Sequence, residues 1–391
     1  MEQGKRLSVE KFTSWLLLIY CGVLTGLALG IEIVSESQLG TTLSESGAFG
    51  MGRYVIGFAI LAVVALFGHH LIRLLIQYPG WAFLSVGLVS VVKLFFTLKL
   101  EAYLFMPWLL VATALLVYMC EGTGFVGLAA CGVGCLVLVF LSGTMGGYFY
   151  MLALFVVVMT LLCYGTLTGW FGDKLRYFLA TIGMGIVAVL AGAFWKMEYL
   201  FWSVDDWFHP ELDPLGSGYR PLLMQSLLRE SVWFGQGNLA QGLDNATQYP
   251  FYETGFLAYL SNNFGLWVII AVAALFLGFF YLCLRKAHPL YGVPRFLALA
   301  IIAYLMLQTI AFFAQNMGVP LFTSVPLPFI SYSPHLWSNS FLCGLLLAAM
   351  NITPAFPDTL CSIKGGTDKL LTARIFSVDI SFCPLTKSVG L

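Results

Sequence analysis

Charged residues are scarce in this chain of 391 residues. Only 10% of them are Asp, Glu, Lys or Arg, whereas 60% are hydrophobic and the mean hydropathy is +0.89. Soluble domains carry about 25% charged residues, so water cannot be the main solvent of this fold. The 19 basic residues balance 19 acidic ones and form no basic block, which argues against a nucleic-acid partner.

The nine cysteines lack the neighbours that a metal site needs. Most lie in apolar runs, where a thiol behaves as a small hydrophobic group. Cys131 and Cys135 share a helix face, but no His or carboxylate accompanies them, so we expect packing and no metal site there. A cleavable signal peptide is not expected either, because the first apolar run is about 20 residues long, enough for a full span.

Long apolar runs fill most of the chain. A helix needs about 20 apolar residues to cross ~30 Å of hydrocarbon, and runs that are continuous rather than alternating exclude a closed β-barrel. The sequence therefore predicts an all-α membrane protein with about ten transmembrane helices and one large extracytoplasmic loop. The candidate spans are residues 14–35, 53–77, 81–98, 103–120, 124–142, 148–171, 177–195, 255–284, 296–316 and 336–353.

The basic residues predict the orientation, because Lys and Arg are enriched in cytoplasmic loops. With the N-terminus in the cytoplasm, most of those near helix ends fall on that side, and Lys99 is the exception. They are Lys5, Arg6, Lys11, Arg73, Lys174, Arg176, Arg285, Lys286 and Arg295. We expect both termini to be cytoplasmic. Residues 1–354 form one polytopic domain in this interpretation, and 355–391 form a loosely ordered cytoplasmic tail.

The most polar segment is the predicted extracytoplasmic loop, residues 196–254. It holds eight carboxylates against three basic residues, Lys196, Arg220 and Arg229. Residues 221–229 carry apolar side chains at helical spacing, which predicts a short amphipathic helix on the outer surface. A turn-rich run precedes this helix and a Gly-rich turn at 234–238 follows it.

Glu253 lies where the chain re-enters the bilayer. Desolvation at this boundary can raise the pKa of a carboxylate, as a general base near neutral pH requires. The alternative is a solvated Glu at a helix N-terminus, where the helix dipole favours it. Residues 319–336 contain four prolines and cannot form a regular helix. We expect this segment to be re-entrant, to fold back against the helices and to floor the site.

Two sets of motifs resemble the SEDS family (FtsW, RodA and SpoVE). Gln308, then 316–319 (Asn-Met-Gly-Val) and 327–332 (Leu-Pro-Phe-Ile-Ser-Tyr), are similar to its late signature of Gln, Asn-x-Gly and Leu-Pro-x-x-Ser-Tyr-Gly-Gly. The run 213–219, with Gln225-Ser226 and 234–237 after it, resembles the family's large extracellular loop. The likeness is specific from about 213 to 332 and only topological over the first half.

The resemblance implies a peptidoglycan glycosyltransferase in the bacterial plasma membrane. Such enzymes polymerise lipid-linked disaccharide (lipid II) outside the membrane for elongation, division or sporulation, beside a monofunctional (class B) penicillin-binding transpeptidase. The family's base is an Asp in a His-Thr-Asp-Phe context, and the matching window here is Glu253-Thr254-Gly255-Phe256. Thr254 or Gly255 occupies the Asp position, so Glu253 is the nearest carboxylate and the expected catalytic base.

Several family features are missing. Asn262-Asn263 replaces the usual Glu-Glu, and Ser333-Pro334 replaces the final Gly-Gly. The Asn-Gly-Ala-Arg-Arg-Trp and Gln-Pro-Ser-Glu runs expected near the third and fourth spans are absent. Lys93 is the only basic residue buried in that region, either as a snorkelling side chain or as a contact to a lipid phosphate.

The expected site follows from the resemblance. Basic side chains would pair with a pyrophosphate, for which Arg has the matching fork geometry. The expected substrate-binding residues are Lys196, Arg220, Arg229, Gln225, Gln308, Ser331, Tyr332 and Lys93. A divalent cation could assist, although no ligand cluster demands one and no other cofactor is indicated. Two alternatives remain: an inactive scaffold for a transpeptidase, and a flippase for the lipid-linked precursor, which would use Lys93 and His69-His70.

Overall fold

The computed structural model describes most of the apolar chain and parts of its loops. Described are residues 17, 19–26, 47–96, 102–146, 148–195, 209–214, 216, 218–235, 255–319, 325–329, 335–352, 372–375 and 378–381. The side chains of several stretches within these ranges, with Lys93 and His335 among them, fall outside the description.

The described helices are numbered here in chain order. They are α1 (19–26), α2 (Gly47–Gln77), α3 (Pro79–Phe96), α4 (Ala102–Met119), α5 (Gly124–Gly146), α6 (Tyr148–Thr168), α7 (Lys174–Trp195), α8 (Tyr219–Arg229), α9 (Phe256–Phe264), α10 (Trp267–Ala287), α11 (Val293–Asn316) and α12 (His335–Asn351). A 3₁₀ turn, Pro210–Leu212, precedes α8.

The prediction of an all-α membrane protein is confirmed. Six described helices are long and apolar enough to cross a membrane: α2, α5, α6, α7, α10 and α11. Parts of α3, α4 and α12 form shorter apolar helices, and α1 lies within the first predicted span. Each of the ten predicted spans thus contains a described helix.

The predicted single span over 255–284 is wrong in one respect, because the structure breaks it at Gly265. This residue ends α9 with φ 108° and ψ 160°, a conformation that is essentially restricted to glycine. A Cβ at this position would lie only 2.5 Å from the Trp233 carbonyl oxygen. The break therefore results from close backbone packing with a segment far away in sequence.

Helix α11 lies at the centre of the bundle. It packs against α4, α6, α10 and α12, and most of its apolar side chains are buried. Helix α7 lies at the periphery and packs on α5 and α6. Its exposed apolar residues include Leu179, Ile186 and Val187, as expected for a helix that faces lipid.

Glycines bring α2 and α12 into close contact. A Cβ at Gly344 would lie 2.7 Å from Val64 Cβ and 2.9 Å from the Leu61 carbonyl oxygen. A Cβ at Gly68 would lie 2.9 Å from Ala348 Cβ. Small residues at such crossings let membrane helices approach closely, so this contact joins the second span to the last.

The end of the bundle that carries Arg285, Lys286 and Arg295 is tied together by polar contacts. Tyr291 donates a hydrogen bond to Glu121 (3.2 Å), and Lys286 donates one to Asn351 (3.3 Å). The Arg295 guanidinium lies 4.9 Å from the centre of the Tyr164 ring. These described basic residues thus lie at one end, as the orientation argument requires, and the cytoplasmic assignment of this end stays a prediction.

The tail contains regular structure that the sequence did not predict. Strands β1 (Thr372–Ile375) and β2 (Val378–Ser381) pair antiparallel. Their register runs from Thr372 opposite Ser381 to Ile375 opposite Val378.

Candidate active site at the outer end of the bundle

Four segments meet at the end of the bundle opposite the basic residues. They are α8, α9, the last turn of α11 and the irregular stretch 325–329. We call their assembly the outer platform, after the predicted orientation of the bundle. It lies in the region where the sequence predicted the site, between the large loop and the proline-rich segment.

Helix α8 confirms the predicted amphipathic helix. It covers Tyr219–Arg229 and buries Pro221, Met224 and Leu227 on one face. Met224 and Leu227 form a small apolar cluster with Ala258 of α9. The predicted phosphate-binding residues, Arg220 and Arg229, lie on the exposed part of the same helix.

The predicted turn before α8 is also present. Asp213 accepts hydrogen bonds from Gly216 N through its side chain (3.1 Å) and from Gly218 N through its carbonyl (3.0 Å). A Cβ at Gly218 would lie 1.8 Å from the Pro210 carbonyl oxygen, so only glycine fits. Hydrogen bonds from its own backbone N–H and from His209 lower the pKa of the exposed Glu211 carboxyl.

Gln225 connects α8 to the end of α11. Its Nε2 donates a hydrogen bond to the Gly318 carbonyl (3.3 Å). Gly318 has φ +81°, and a Cβ there would lie 2.4 Å from Gln225 Cγ. The glycine of the Asn-x-Gly motif is therefore required both by its backbone conformation and by the close approach of α8.

Asn316 caps α9 from a distant part of the chain. The residue that precedes α9, Gly255, has no side chain to serve as a cap, which leaves the first helical N–H groups without partners inside the helix. Asn316 Oδ1 accepts hydrogen bonds from Leu257 N (3.0 Å) and Ala258 N (3.1 Å). Its Nδ2 donates to Phe312 O (2.9 Å), so both ends of this buried amide are used.

Asn262 ties α9 to the last turn of α8. Its Nδ2 donates a hydrogen bond to the Leu227 carbonyl (3.2 Å), and Ser231 Oγ donates to the same oxygen (2.7 Å). Asn262 is buried and stands where the family usually has the first Glu of a pair. In this chain that position contributes a structural hydrogen bond.

The segment after α8 pairs with the break between α9 and α10. Leu266 N donates to Val232 O (2.9 Å), and Gly235 N donates to Phe264 O (3.2 Å). These bonds flank Gly265, which approaches the Trp233 backbone closely. The described part of the predicted Gly-rich turn is thus fixed to the start of a membrane span.

Amide side chains of α11 hold the proline-rich stretch in place. Gln308 Nε2 donates to Pro326 O (3.0 Å), and Gln315 Oε1 accepts from Val325 N (3.0 Å). Residues 325–329 are non-helical and buried, and the Phe329 ring packs edge-on against Phe279 with 6.1 Å between centroids. This described part therefore folds back on the helices as expected.

The structure describes only part of the predicted site. Gln225 and Gln308 both lie in the outer platform, where their Nε2 groups bind backbone carbonyls. Arg220 and Arg229 are exposed on α8. Glu253, Lys196, Ser331 and Tyr332 lie outside the described residues, as does the side chain of Lys93. Their roles stay predictions.

The sequence reasoning assigned no structural role to three amides that hold the platform together: Asn262, Gln315 and Asn316. The available signal was their position, because two of them end a long apolar helix and all three interrupt apolar surroundings. A buried amide almost always finds a hydrogen-bond partner. Asn262 and Asn316 therefore indicate contacts with another helix, and the half-buried Gln315 bonds the irregular stretch at Val325. Within the described residues, no group of three or more His, Cys, Asp or Glu is placed to hold a metal ion.

Comparison with known proteins finds relatives that are named FtsW or RodA. A probable peptidoglycan glycosyltransferase FtsW of Escherichia coli O6:H1 is 33% identical over 171 residues, which cover 41% of this chain and 40% of that protein. The corresponding FtsW of Hydrogenovibrio crunogenus is 27% identical over 169 residues (41% and 42%). The peptidoglycan glycosyltransferase RodA of Treponema pallidum is 25% identical over 182 residues (44% and 42%). The chain is SEDS-like.

The likeness at the sequence level is partial. The SEDS-like chain aligns with only about two fifths of the length of these curated relatives, and no family model matches it. A chain from a solved peptidoglycan synthase complex, described as coordinating polymerization and crosslinking, superimposes with a TM-score of 0.61 at 16% identity. The superposition covers 86% of the SEDS-like chain and 96% of the other, which establishes a common fold.

Proposed function

We propose that this chain is a peptidoglycan glycosyltransferase that polymerises lipid-linked disaccharide at the outer face of the bacterial plasma membrane. The observation that carries the proposal is the outer platform, which the chain builds from the motifs that it shares with the SEDS family. Its relatives FtsW and RodA are named as enzymes of this class. Helix α9 of this platform begins three residues after Glu253, which supports a site at this end of the bundle.

In the proposed reaction, an acceptor sugar hydroxyl attacks the anomeric carbon of a lipid-linked donor. A new glycosidic C–O bond forms, the bond from the anomeric carbon to the pyrophosphate breaks, and the polyprenyl pyrophosphate leaves. Glu253 takes the proton from the attacking hydroxyl. Arg220, Arg229 and Lys196 pair with the pyrophosphate. No step here is assigned to a divalent cation.

The capping of α9 supports Glu253 as a base rather than as a helix cap. A carboxylate that precedes a helix has its pKa lowered when it accepts hydrogen bonds from the first-turn N–H groups. Two of those groups, Leu257 N and Ala258 N, already donate to Asn316. The first turn of α9 therefore does not require Glu253 as a hydrogen-bond acceptor, which supports its proposed role as the base.

The test is polymerisation of purified lipid II by the purified protein, followed on gels, with and without candidate class B transpeptidases. We expect the wild type to form glycan polymer and Glu253→Gln to form none while it remains folded and monodisperse. Glu230→Gln is the matched control, because Glu230 is an exposed carboxylate at the end of α8. Polymer of unchanged length from Glu253→Gln would remove Glu253 from its role.

A non-catalytic scaffold is the second candidate, and a specific observation favours it. The family's Asp position is occupied by Thr254 or Gly255, while the fold is retained. A scaffold would give no polymer from any preparation and would still retain a transpeptidase in pull-down experiments. The gel assay and the pull-down together separate the two candidates.

A flippase is the third candidate. Transporters of charged lipids commonly place ionisable side chains deep in several spans. Among the described residues, the buried polar side chains are hydroxyls and amides, with no Asp, Glu, Lys or Arg. The direct test uses fluorescent lipid II in proteoliposomes, where dithionite quenches only the outer leaflet. Loss of the protected inner-leaflet fluorescence would indicate flipping.

A further inference from the structure

Exposed aromatic side chains surround the break between α9 and α10. They are Trp233, Phe234, Phe264 and Trp267, which together with the exposed Val232 we call the aromatic patch. The exposed fraction is 78% for Phe234, 64% for Trp233 and 44% for Trp267. A contiguous set of large apolar side chains with this exposure marks an interaction surface.

The aromatic patch has a fixed backbone. Hydrogen bonds from Leu266 N to Val232 O and from Gly235 N to Phe264 O hold its two segments side by side. Trp267 Nε1 donates to Phe264 O (2.8 Å), which orients the indole across the break. Because the Gly265 backbone contacts that of Trp233, the patch is anchored to α10.

The position of α10 locates the patch relative to the bilayer. This helix has 21 residues and is apolar enough to cross a membrane, and at ~1.5 Å per residue it spans about 31 Å, the thickness of the hydrocarbon core. Its far end carries Arg285 and Lys286. Trp267 begins the helix, so the patch lies at the opposite boundary between lipid and water.

The patch also continues a surface that faces lipid. Ile270, Leu277 and Tyr281 are exposed along α10, and in a membrane-spanning helix such side chains contact acyl chains. Trp267 lies on the same exposed side, one turn before Ile270. Trp267 is therefore covered by the same bilayer at a shallower depth, which is the phospholipid headgroup region.

We propose that the aromatic patch is a membrane anchor that binds the phospholipid headgroup region beside α10. Trp side chains prefer this region because their rings combine an apolar body with a polar edge. Apolar side chains at such surfaces insert about 5–10 Å into the boundary between headgroups and acyl chains. The anchor sets the depth of the outer platform, and it does not depend on the proposed enzymatic activity.

The experiment places an environment-sensitive fluorescent amino acid at position 233 or 234 by amber suppression. The full chain is reconstituted, one copy per nanodisc, in phosphatidylethanolamine and phosphatidylglycerol. The matched control carries the same probe at position 212, because Leu212 is also highly exposed but lies between the charged residues Glu211 and Asp213. Size-exclusion profiles establish that each labelled protein is folded.

We expect lipids with a spin label near the headgroup to quench most of the emission at 233 and 234 and little at 212. Lipids with the label at the chain end should quench 233 and 234 less. Equal quenching of all three probes by aqueous iodide, without quenching by lipid, would overturn the anchor. Protection of 233 and 234 from both quenchers would also overturn it, because protein rather than lipid would then cover the patch.

Discussion

Asn316 at the end of α11 and Leu257 at the start of α9 are joined by a hydrogen bond of 3.0 Å from the Leu257 amide to the Asn316 side chain. The same oxygen accepts a second bond from Ala258. A membrane-spanning helix therefore caps a short helix 59 residues away in the sequence. This arrangement fixes the start of α9, which follows the expected catalytic region in the sequence.

We predict that Asn316→Ala destabilises the protein by about 2 kcal/mol or more. The substitution leaves two buried N–H groups without an acceptor, and each such group costs about 1–3 kcal/mol. Thermal unfolding in detergent measures the effect. The control is Asn351→Ala, because Asn351 is exposed and accepts a bond from Lys286. Equal melting temperatures for the two variants would contradict the cap.

Gly265→Ala should destabilise the break between α9 and α10. The backbone conformation there, with φ 108°, costs a residue with a side chain about 1–3 kcal/mol. A Cβ would also clash with the Trp233 carbonyl. Gly183→Ala is the matched control in α7, where a Cβ meets no atom within 4 Å, and it should be neutral or stabilising by up to about 1 kcal/mol. A neutral Gly265→Ala would refute the close packing.

Glu121 provides a prediction about pH. Partial burial raises the pKa of its carboxyl above the ordinary Glu value, while the hydrogen bond from Tyr291 opposes this shift. Because the folded pKa is raised, the folded state holds this proton more tightly, and stability falls as the pH rises through the interval between the unfolded and folded pKa values.

Glu121→Gln removes the ionisation and keeps an acceptor for Tyr291. The variant should therefore be more stable than the wild type above the folded pKa of Glu121. The two proteins should converge below the ordinary Glu pKa, where the wild-type carboxyl is protonated in both states. Unfolding temperatures of both proteins across the acidic range provide the check. A constant offset at every pH would show that this carboxyl is not the cause.

The spans and α8 could be predicted from sequence because their signals are local. A run of about 20 apolar residues can only be satisfied by a membrane-spanning helix, and apolar side chains at helical spacing identify α8. The break at Gly265 could not be predicted in this way. An isolated glycine costs only about 1 kcal/mol within a helix, and the decisive contact comes from Trp233, which is remote in sequence.

The platform was harder to predict than the helices for the same reason. Asn316 and Asn262 each bind a backbone group of another helix, and nothing local in the sequence indicates which one. The motif around Gln308 and Gly318 pointed to the right region through resemblance. The physical reason for this motif is that amide side chains hold irregular backbone in place. That reason is visible only in the three-dimensional contacts.

The last prediction concerns the exposed arginines of α8 and assumes the proposed activity. A charge-assisted hydrogen bond contributes about 1.5–3 kcal/mol, so Arg220→Ala or Arg229→Ala should raise the KM for lipid II by roughly 10-fold to 100-fold. Lys at either position keeps the charge but loses the fork geometry, so it should restore only part of the affinity. Arg176→Ala, beside Asp173 at the other end of the bundle, is the control. If kcat fell while KM stayed constant, these arginines would act in the chemical step instead of in substrate binding.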